Sequence, residues 1–471
     1  MDENAVFQNP QTISQQPENI VPPPPPQNPP FDASSSQTQE PSIMPKIIKA
    51  LIGVGILAIL GFVIFALILP RFSKPKVENV TLTYWGLWED NQVMQSIISD
   101  FERQNPNIKI EYVKQEPKQY RDRLTTRISQ GTGPDIFRFH NTWLPMFLNT
   151  LVPLPSDTIK KEDFQNWYYP VVRKDLVKNG AIYGVPLEID TLALFINTDS
   201  FKAASLEPPK TWDEFSRISR SLTVKDETGK IKNSGAALGA FDNITHAPDI
   251  ISLLMLQNGA DLKNFSSTLQ SVNDALSFYT SFAKDEGAVW DQTLDPSILA
   301  FSKGNLSMFF GYSWDIFTIK SLNPNLNFAI YPVPSLPGRN MTIASYWAEG
   351  VSAKSKYQKQ ALIFIKFLSQ KETQQKIFTE ESKTRLFGEP YSRVDLAESL
   401  KSNTLLFPFV DQGKTAVSSY FAADTNDNGI NSKMNNYLGN AVRSMLSQTS
   451  SQTAVDTLSK GVTQVLQQYS N

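Results

Sequence analysis

One stretch constrains this chain more than any other: from Ala50 to Leu69 it runs twenty residues without a charged side chain. At about 1.5 Å of rise per residue, a helix of that length covers the roughly 30 Å hydrocarbon layer of a bilayer. The span reads as one transmembrane helix from about Ile47 to Leu69. Lys46 and Lys49 flank one end, and Arg71, Lys74 and Lys76 the other; Pro70 suits a helix that stops at the interface. A cleaved signal peptide has a shorter apolar core, no long leader before its charges, and a small-x-small cleavage site. This chain departs from that pattern on every count, so an uncleaved anchor is expected. Two cations against three leave the positive-inside rule nearly tied. No Gly-xxx-Gly pair in the span argues for helix-driven dimerisation.

The anchor divides the chain. Residues 1–45 are rich in Pro, Gln, Asn and Ser, including Pro22 to Pro26, and lack apolar periodicity, so a disordered tail is expected. The anchor takes residues 46–70 and a linker 71–78. What remains of the 471 residues is too long for one core and suits two lobes. A net charge of −2 gives no field to draw nucleic acid, and no nucleic-acid motif occurs. Cysteine is absent, which removes disulfides, thiolate metal sites, cysteine nucleophiles and lipidated cysteines together. Histidine occurs only at His140 and His246, fewer than most metal or triad chemistry needs.

Beyond the linker, strand and helix periodicities alternate. Val80 to Trp85 reads as a strand of β-branched and aromatic residues. Val93, Ile97, Ile98 and Phe101 recur at helical spacing and stop before Asn105-Pro106. Ile108 to Val113 is a second strand. Tyr120 to Gln130 is a second helix, closed by Gly131-Thr132-Gly133-Pro134, and Asp135 to Phe139 is a third strand. That order implies an α/β fold on a parallel, doubly wound sheet. From about Met434 onward, amphipathic helices are expected.

Eight segments, met in order, resemble the extracytoplasmic solute-binding proteins of ABC importers, in the carbohydrate-binding group that includes maltose-binding protein. They are Val80-Thr-Leu-Thr-Tyr-Trp-Gly, Phe101-Glu-Arg-Gln-Asn-Pro-Asn-Ile, Gly131-Thr-Gly-Pro-Asp-Ile-Phe and Ile182-Tyr-Gly-Val-Pro-Leu. Leu194-Phe-Ile-Asn-Thr-Asp, Pro208-Pro-Lys-Thr-Trp-Asp-Glu-Phe, Phe301-Ser-Lys-Gly-Asn-Leu-Ser-Met and Tyr331-Pro-Val-Pro-Ser-Leu-Pro-Gly follow. Each is weak alone; their order between Val80 and Leu466 is what makes the resemblance specific. It implies a two-lobed α/β fold of the periplasmic-binding-protein type (type II), with a ligand held between lobes joined by hinge strands. Lobe 1 would comprise 79–190 and 334–370, and lobe 2 191–333 and 371–471. The crossings would fall near Ile189–Ile196, Tyr331–Pro334 and Gln370. The resemblance further implies a carbohydrate ligand, permease subunits of an ABC importer as partners, and neither enzymatic activity nor a cofactor or metal. Residues 77–471 would then face the outside of the cell membrane, with the tail in the cytoplasm. A membrane-anchored sensor or docking module, or a binder of some other solute, stays open as a use of the same fold.

Sugars present hydroxyl edges and apolar C–H faces, so their sites need flat aromatic platforms and a few oriented polar groups. In open α/β sheets such groups belong at the C-terminal ends of the parallel strands. Trp85, Trp88 and Glu89 follow the first strand, and Phe139, His140, Asn141 and Trp143 the third. By resemblance, Asp190 lies in a ligand-contacting acidic stretch. Tyr312, Trp314 and Asp315 stand where the family commonly places a stacking tryptophan, and Tyr346, Trp347 and Glu349 lie in the strand returning to lobe 1. Trp212, Trp167 and Trp290 are expected in the core. Trp314 is expected in the cleft, and Trp85, Trp143 and Trp347 are open to both readings. His140 reads equally as a hydrogen-bonded loop residue, and Asp135 as a brace of the strand end. Gly413-Lys414-Thr415 lacks the earlier glycine of a phosphate loop. Gly311-Tyr-Ser-Trp-Asp lacks the closing glycine of a nucleophile elbow. Asp424-Thr-Asn-Asp-Asn-Gly fits half a calcium loop, but its twelfth position is Asn435; a polar loop preceding a helix is the better account.

Overall fold

A computed structural model describes residues 44–68, 78–447 and 449–469. Most of the expected tail, Pro70, and the linker with Arg71, Lys74 and Lys76 lie outside the described residues. The chain forms two separate units, Met1–Lys76 and Val77–Asn471. In the first, helix α1 (Met44–Val63) runs on through a π-helical turn at Ile64–Ile68. Ile47–Ala66 is long and apolar enough to cross a membrane. Leu51, Leu57, Phe62 and Phe65 are all exposed on it, and a helix apolar on every side has no face suited to water.

The second unit holds two apolar clusters, each built around its own sheet. Lobe 1 opens with β1 (Val80–Gly86), α2 (Asn91–Gln104), β2 (Ile108–Lys114), α3 (Tyr120–Ser129) and β3 (Ile136–His140). On α2 the residues Val93, Met94, Ile97, Ile98 and Phe101 are buried on one stripe, as their spacing requires. Strand β1 pairs in parallel with both β2 and β3. Helix α4 (Pro170–Leu176) and strand β4 (Val185–Pro186) complete the first pass. The sheet is closed antiparallel by β12 (Trp347–Val351), in the order β2-β1-β3-β12-β4. The parallel sheet expected from the sequence is therefore mixed.

Lobe 2 is built on β6 (Ala193–Asn197), β7 (Val224–Lys225), β8 (Ile231–Ala236), β9 (Leu306–Gly311) and β10 (Phe328–Tyr331), ordered β10-β6-β9-β8-β7. Its helices include α5 (Trp212–Ser221), started by a Thr211–Glu214 capping box, α6 (Ala247–Gln257) and α7 (Asp315–Leu322). Helices α10 (Ile430–Leu446) and α11 (Ser451–Gln467) close the chain, α10 beginning a turn before the expected Met434. Trp212 and Trp290 are core residues, whereas Trp167 is half-buried beneath the Arg393 guanidinium at 4.3 Å.

The lobes meet at a small sheet of β5 (Asp190–Thr191), β11 (Thr342–Ser345) and β13 (Ala416–Val417), in the order β13-β11-β5. Core membership passes from one cluster to the other across β5, between Ile189 and Leu192. The return comes later than Tyr331–Pro334, because Phe328–Tyr331 pairs with β6 inside lobe 2. Core membership switches between Ile343 and Ala344. The third crossing lies beyond Gln370. Helix α9 (Lys371–Glu381), which follows α8 (Gln358–Leu368), still packs on α2: Lys376 reaches Asp100 at 2.5 Å and Ile377 joins the lobe 1 core. Phe387 and Tyr391 are the first residues after it in the lobe 2 core.

Candidate functional site

The ends of β1, β3 and β12 converge on an aromatic group in lobe 1. Trp347 meets Trp88 edge-on at 5.7 Å, His140 at 5.1 Å and Trp143 at 5.1 Å. Trp88 and Trp347 stay half-buried and keep surface for a ligand. Phe139 and Trp143, also expected at the site, are fully buried. Strand β3 lies in the middle of a sheet covered on both faces, so all five of its residues are buried. Phe139 packs on Phe137, and Trp143 stacks with Phe147 at 5.9 Å. Trp85, on the less buried side of β1, rests half-buried against the core.

His140 is buried, its Nδ1 beside Thr142 Oγ1 at 2.8 Å and Nε2 beside Ser345 Oγ at 3.1 Å. Burial pushes its pKa down to about 3, so it is a neutral hydrogen-bonded group. Asn141 donates to Asp175 at 2.9 Å, and the Tyr346 hydroxyl donates to the same carboxylate at 2.8 Å. Both side chains are thereby committed to bracing. Asp135 accepts from the Thr83 amide at 2.9 Å and from Ser355 Oγ at 2.5 Å, and so ties β1 to the turn after β12.

Beneath the aromatics lies a charge cluster that the sequence reading only half contained. Arg138 is fully buried and reaches Glu349 at 2.6 Å, Glu89 at 2.8 Å and Glu188 at 3.7 Å. Burial raises the Glu349 carboxyl to about 7 against the pull of Arg138, and raises Glu188 as well. A second set adjoins it: Arg385 pairs with Glu381 at 2.7 Å and Glu389 at 2.9 Å. Burial and the field of Glu389 push Glu381 up to about 8. Glu89 and Glu349 thus serve the arginine, not open solvent. Arg138 was missed, yet the signal existed: a lone arginine in Ile136-Phe-Arg-Phe-His must be matched by buried carboxylates.

In lobe 2 the loop after β9 supplies the platform. Trp314 stacks on Tyr312 with centroids 4.3 Å apart and planes 14° from parallel; Tyr312 is buried and Trp314 half-buried. Under them, His246 Nε2 lies 2.7 Å from Asp315 Oδ2, and the Tyr312 hydroxyl donates to Asp249 at 2.9 Å. Burial alone would lower the His246 pKa, but Asp315, Asp424 and Asp249 together raise it to about 9. Asp315 also accepts the Tyr312 amide at 2.8 Å, so it holds the loop and presents no free oxygen pair. Asp190 is likewise occupied, accepting the amides of Thr191 and Ser313 at 2.8 Å each. It ties the hinge strand to the loop that carries Trp314. His246 was passed over, although it is one of only two histidines in the chain.

The half-calcium loop is a helix cap. Asp427 accepts the amides of Gly429 at 3.1 Å, Asn431 at 3.3 Å and Ser432 at 3.1 Å at the start of α10. Among the described residues, no group of three or more His, Asp or Glu side chains is placed to hold an ion.

Two α/β lobes joined by short strands, each carrying a half-buried indole after a strand end, have the architecture of a two-lobed binding protein. Residues 85–375 match the family of bacterial extracellular solute-binding proteins, and the chain belongs to that family. The family comprises binding proteins, not enzymes. The multiple sugar-binding protein of Streptococcus mutans is 23% identical over 360 residues, spanning 69% of this chain and 80% of that one. An ABC transporter extracellular-binding protein of Pyrococcus horikoshii is 22% identical, spanning 76% of this chain and 85% of its own. Among solved structures, the sugar-binding protein MalE of Xanthomonas citri superposes with a TM-score of 0.68 at 21% identity, covering 83% of this chain and 98% of that one. A cyclo/maltodextrin-binding protein complexed with maltotetraose gives 0.66 at 19% identity, over 84% and 99%.

Proposed function

We propose that this chain is the membrane-anchored, extracytoplasmic receptor of an ABC importer. It captures a carbohydrate between its lobes and presents the closed form to the permease. The observation that carries the reading is the pair of half-buried indole shelves, Trp88 with Trp347 on lobe 1 and Trp314 over Tyr312 on lobe 2. Flat apolar faces at the strand ends suit the C–H face of a sugar ring. The names of the relatives in Streptococcus and Xanthomonas support the same ligand class. Closure follows from linkage, because only the closed form touches a ligand from both sides. Helix α1 keeps the receptor near its permease and raises the local concentration.

The test is a thermal-shift panel of mono- and oligosaccharides on the full-length protein in mild detergent, followed by calorimetry on any hit. A sugar should raise the melting temperature, and Trp314→Ala should weaken its binding by about 1–3 kcal/mol. If an amino acid or peptide shifts the transition and no sugar does, the ligand class is wrong. The anchor is tested separately: the full chain should sediment with membranes and resist alkaline extraction, whereas residues 78–471 alone should stay in the supernatant. A full chain released by alkali would refute the anchor.

A further inference from the structure

One well-formed cavity of the second unit lies away from the indole shelves. It has a volume of about 440 Å³, and of the fourteen side chains expected at the ligand site only Asn141 lines it. That volume lies within the 300–1,000 Å³ range of small-molecule sites. Both lobes supply its walls. Lys174, Lys178 and Leu144 come from lobe 1, and Lys263, Leu262 and Tyr420 from lobe 2.

Three ammonium groups on one cavity rim is an unusual concentration for a chain of net charge −2. Lys109, Lys303 and Lys376 all reach carboxylates at 2.5–2.8 Å. Among the described residues, Lys174, Lys178 and Lys263 form no ion pair within 4 Å, although the Lys263 charge is felt by Asp175. The one carboxylate in the wall, Asp175, is already engaged: it accepts from Asn141 at 2.9 Å, Tyr346 at 2.8 Å and Ser418 at 2.5 Å. The wall therefore carries three positive charges and one negative. Its apolar part is supplied by the buried Leu144 and Leu262, with the Tyr420 and Tyr469 rings beside them. A charge excess above an apolar floor suits a ligand with a ring-sized body and an acidic group. It does not suit a neutral sugar, which would leave the ammonium groups unmatched.

We infer that this cavity is a second ligand site, separate from the indole shelves, that takes a small organic anion such as a phosphorylated or carboxylated saccharide. The anion would be gripped by Lys174, Lys178 and Lys263, and it would bridge the two lobes.

The experiment uses full-length protein in detergent with four probes: glucose 6-phosphate, glucuronate, glucose and inorganic phosphate. Binding is read by calorimetry. Glucose 6-phosphate or glucuronate should bind at least as well to Trp314→Ala as to the wild type, and should weaken as salt is raised. In the double variant Lys178→Glu/Lys263→Glu, affinity should fall by roughly tenfold or more. Both lysines are exposed, and an unchanged melting temperature without ligand will show that the variant folds. Failure of both acidic sugars to bind the wild type overturns the proposal. So does binding that survives the double variant, or that disappears in Trp314→Ala, because the anion would then lie elsewhere or on the indole shelf. Binding of inorganic phosphate as tight as that of glucose 6-phosphate also counts against it, since the apolar floor would contribute nothing.

Discussion

Replacing His246 with glutamine tests the buried ion pair beneath the Trp314 shelf. In the fold the imidazole titrates at about 9, whereas an unperturbed histidine titrates near 6.5. A group whose folded pKa is raised contributes stability that is complete below the unfolded value and is lost as pH climbs through the folded one. At about 1.36 kcal/mol per unit, a gap of about 2.5 units corresponds to about 3 kcal/mol, lost between roughly pH 6.5 and 9. Glu349, raised to about 7, and Glu381, raised to about 8, also lose stability as pH rises. The wild-type slope alone is therefore ambiguous, and the difference between the wild-type and His246→Gln curves is the informative quantity. Asp249 works against that difference. Burial raises its carboxyl to about 6 against the pull of the His246 cation, so without that cation the variant acquires an extra loss of its own above that pH. The measured gap is then a lower bound on the His246 contribution. Urea unfolding followed by tryptophan fluorescence, in one detergent at several pH values between about 6 and 10, gives both curves. The variant should be less stable at low pH, and the two curves should converge as pH rises. Parallel curves across that window would show that His246 is neutral in the fold and that Asp315 holds it by an uncharged hydrogen bond.

The remaining perturbations address the charges and the caps. Arg138→Met removes the cation that pairs with Glu89, Glu188 and Glu349 and should cost about 3–5 kcal/mol near neutral pH. The cost should shrink at about pH 5, where the Glu349 and Glu188 carboxyls, raised by burial, take up protons, and melting at two pH values decides it. Asp427→Ala strips the start of α10 of three amide contacts and should cost about 1–2 kcal/mol, with ligand affinity unchanged if the loop is only a cap.

Much of the fold was legible because its signals are local. The α2 stripe, the β1 and β3 strands and the capping box at Thr211 each depend on residues within a few positions of one another. The crossings were harder, since they depend on which core a segment joins. Phe328–Tyr331 has the same composition whether it leaves lobe 2 or pairs within it; only the partner strand β6 settles the matter. Likewise, nothing local in α9 says that Ile377 will face α2 across more than 270 residues of chain.

The site was less legible for a different reason. Position at a strand end identifies candidates, but burial separates those that meet a ligand from those that hold the strand end in place. Trp143 and Trp347 are indistinguishable as letters, and one is core while the other is half-open: Trp143, in the turn after β3, stacks on Phe147 inside the lobe, whereas Trp347 stands at the first residue of β12. The acidic candidates share one fate. Glu89, Asp190, Asp315 and Glu349 were expected at the ligand site, yet each already has a cation or amide donors within 2.6–2.8 Å. A carboxylate buried without such donors would be protonated or would destabilise the fold, so the structure occupies them first. The hydrogen bonds left to specify a ligand must then come from groups that are polar but not already engaged, such as Ser313 Oγ beside Trp314, which has no partner among the described residues. On the proposed reading the indole shelves would provide the apolar contact with a sugar ring, while the lysine-rimmed cavity would be a separate site for an anion.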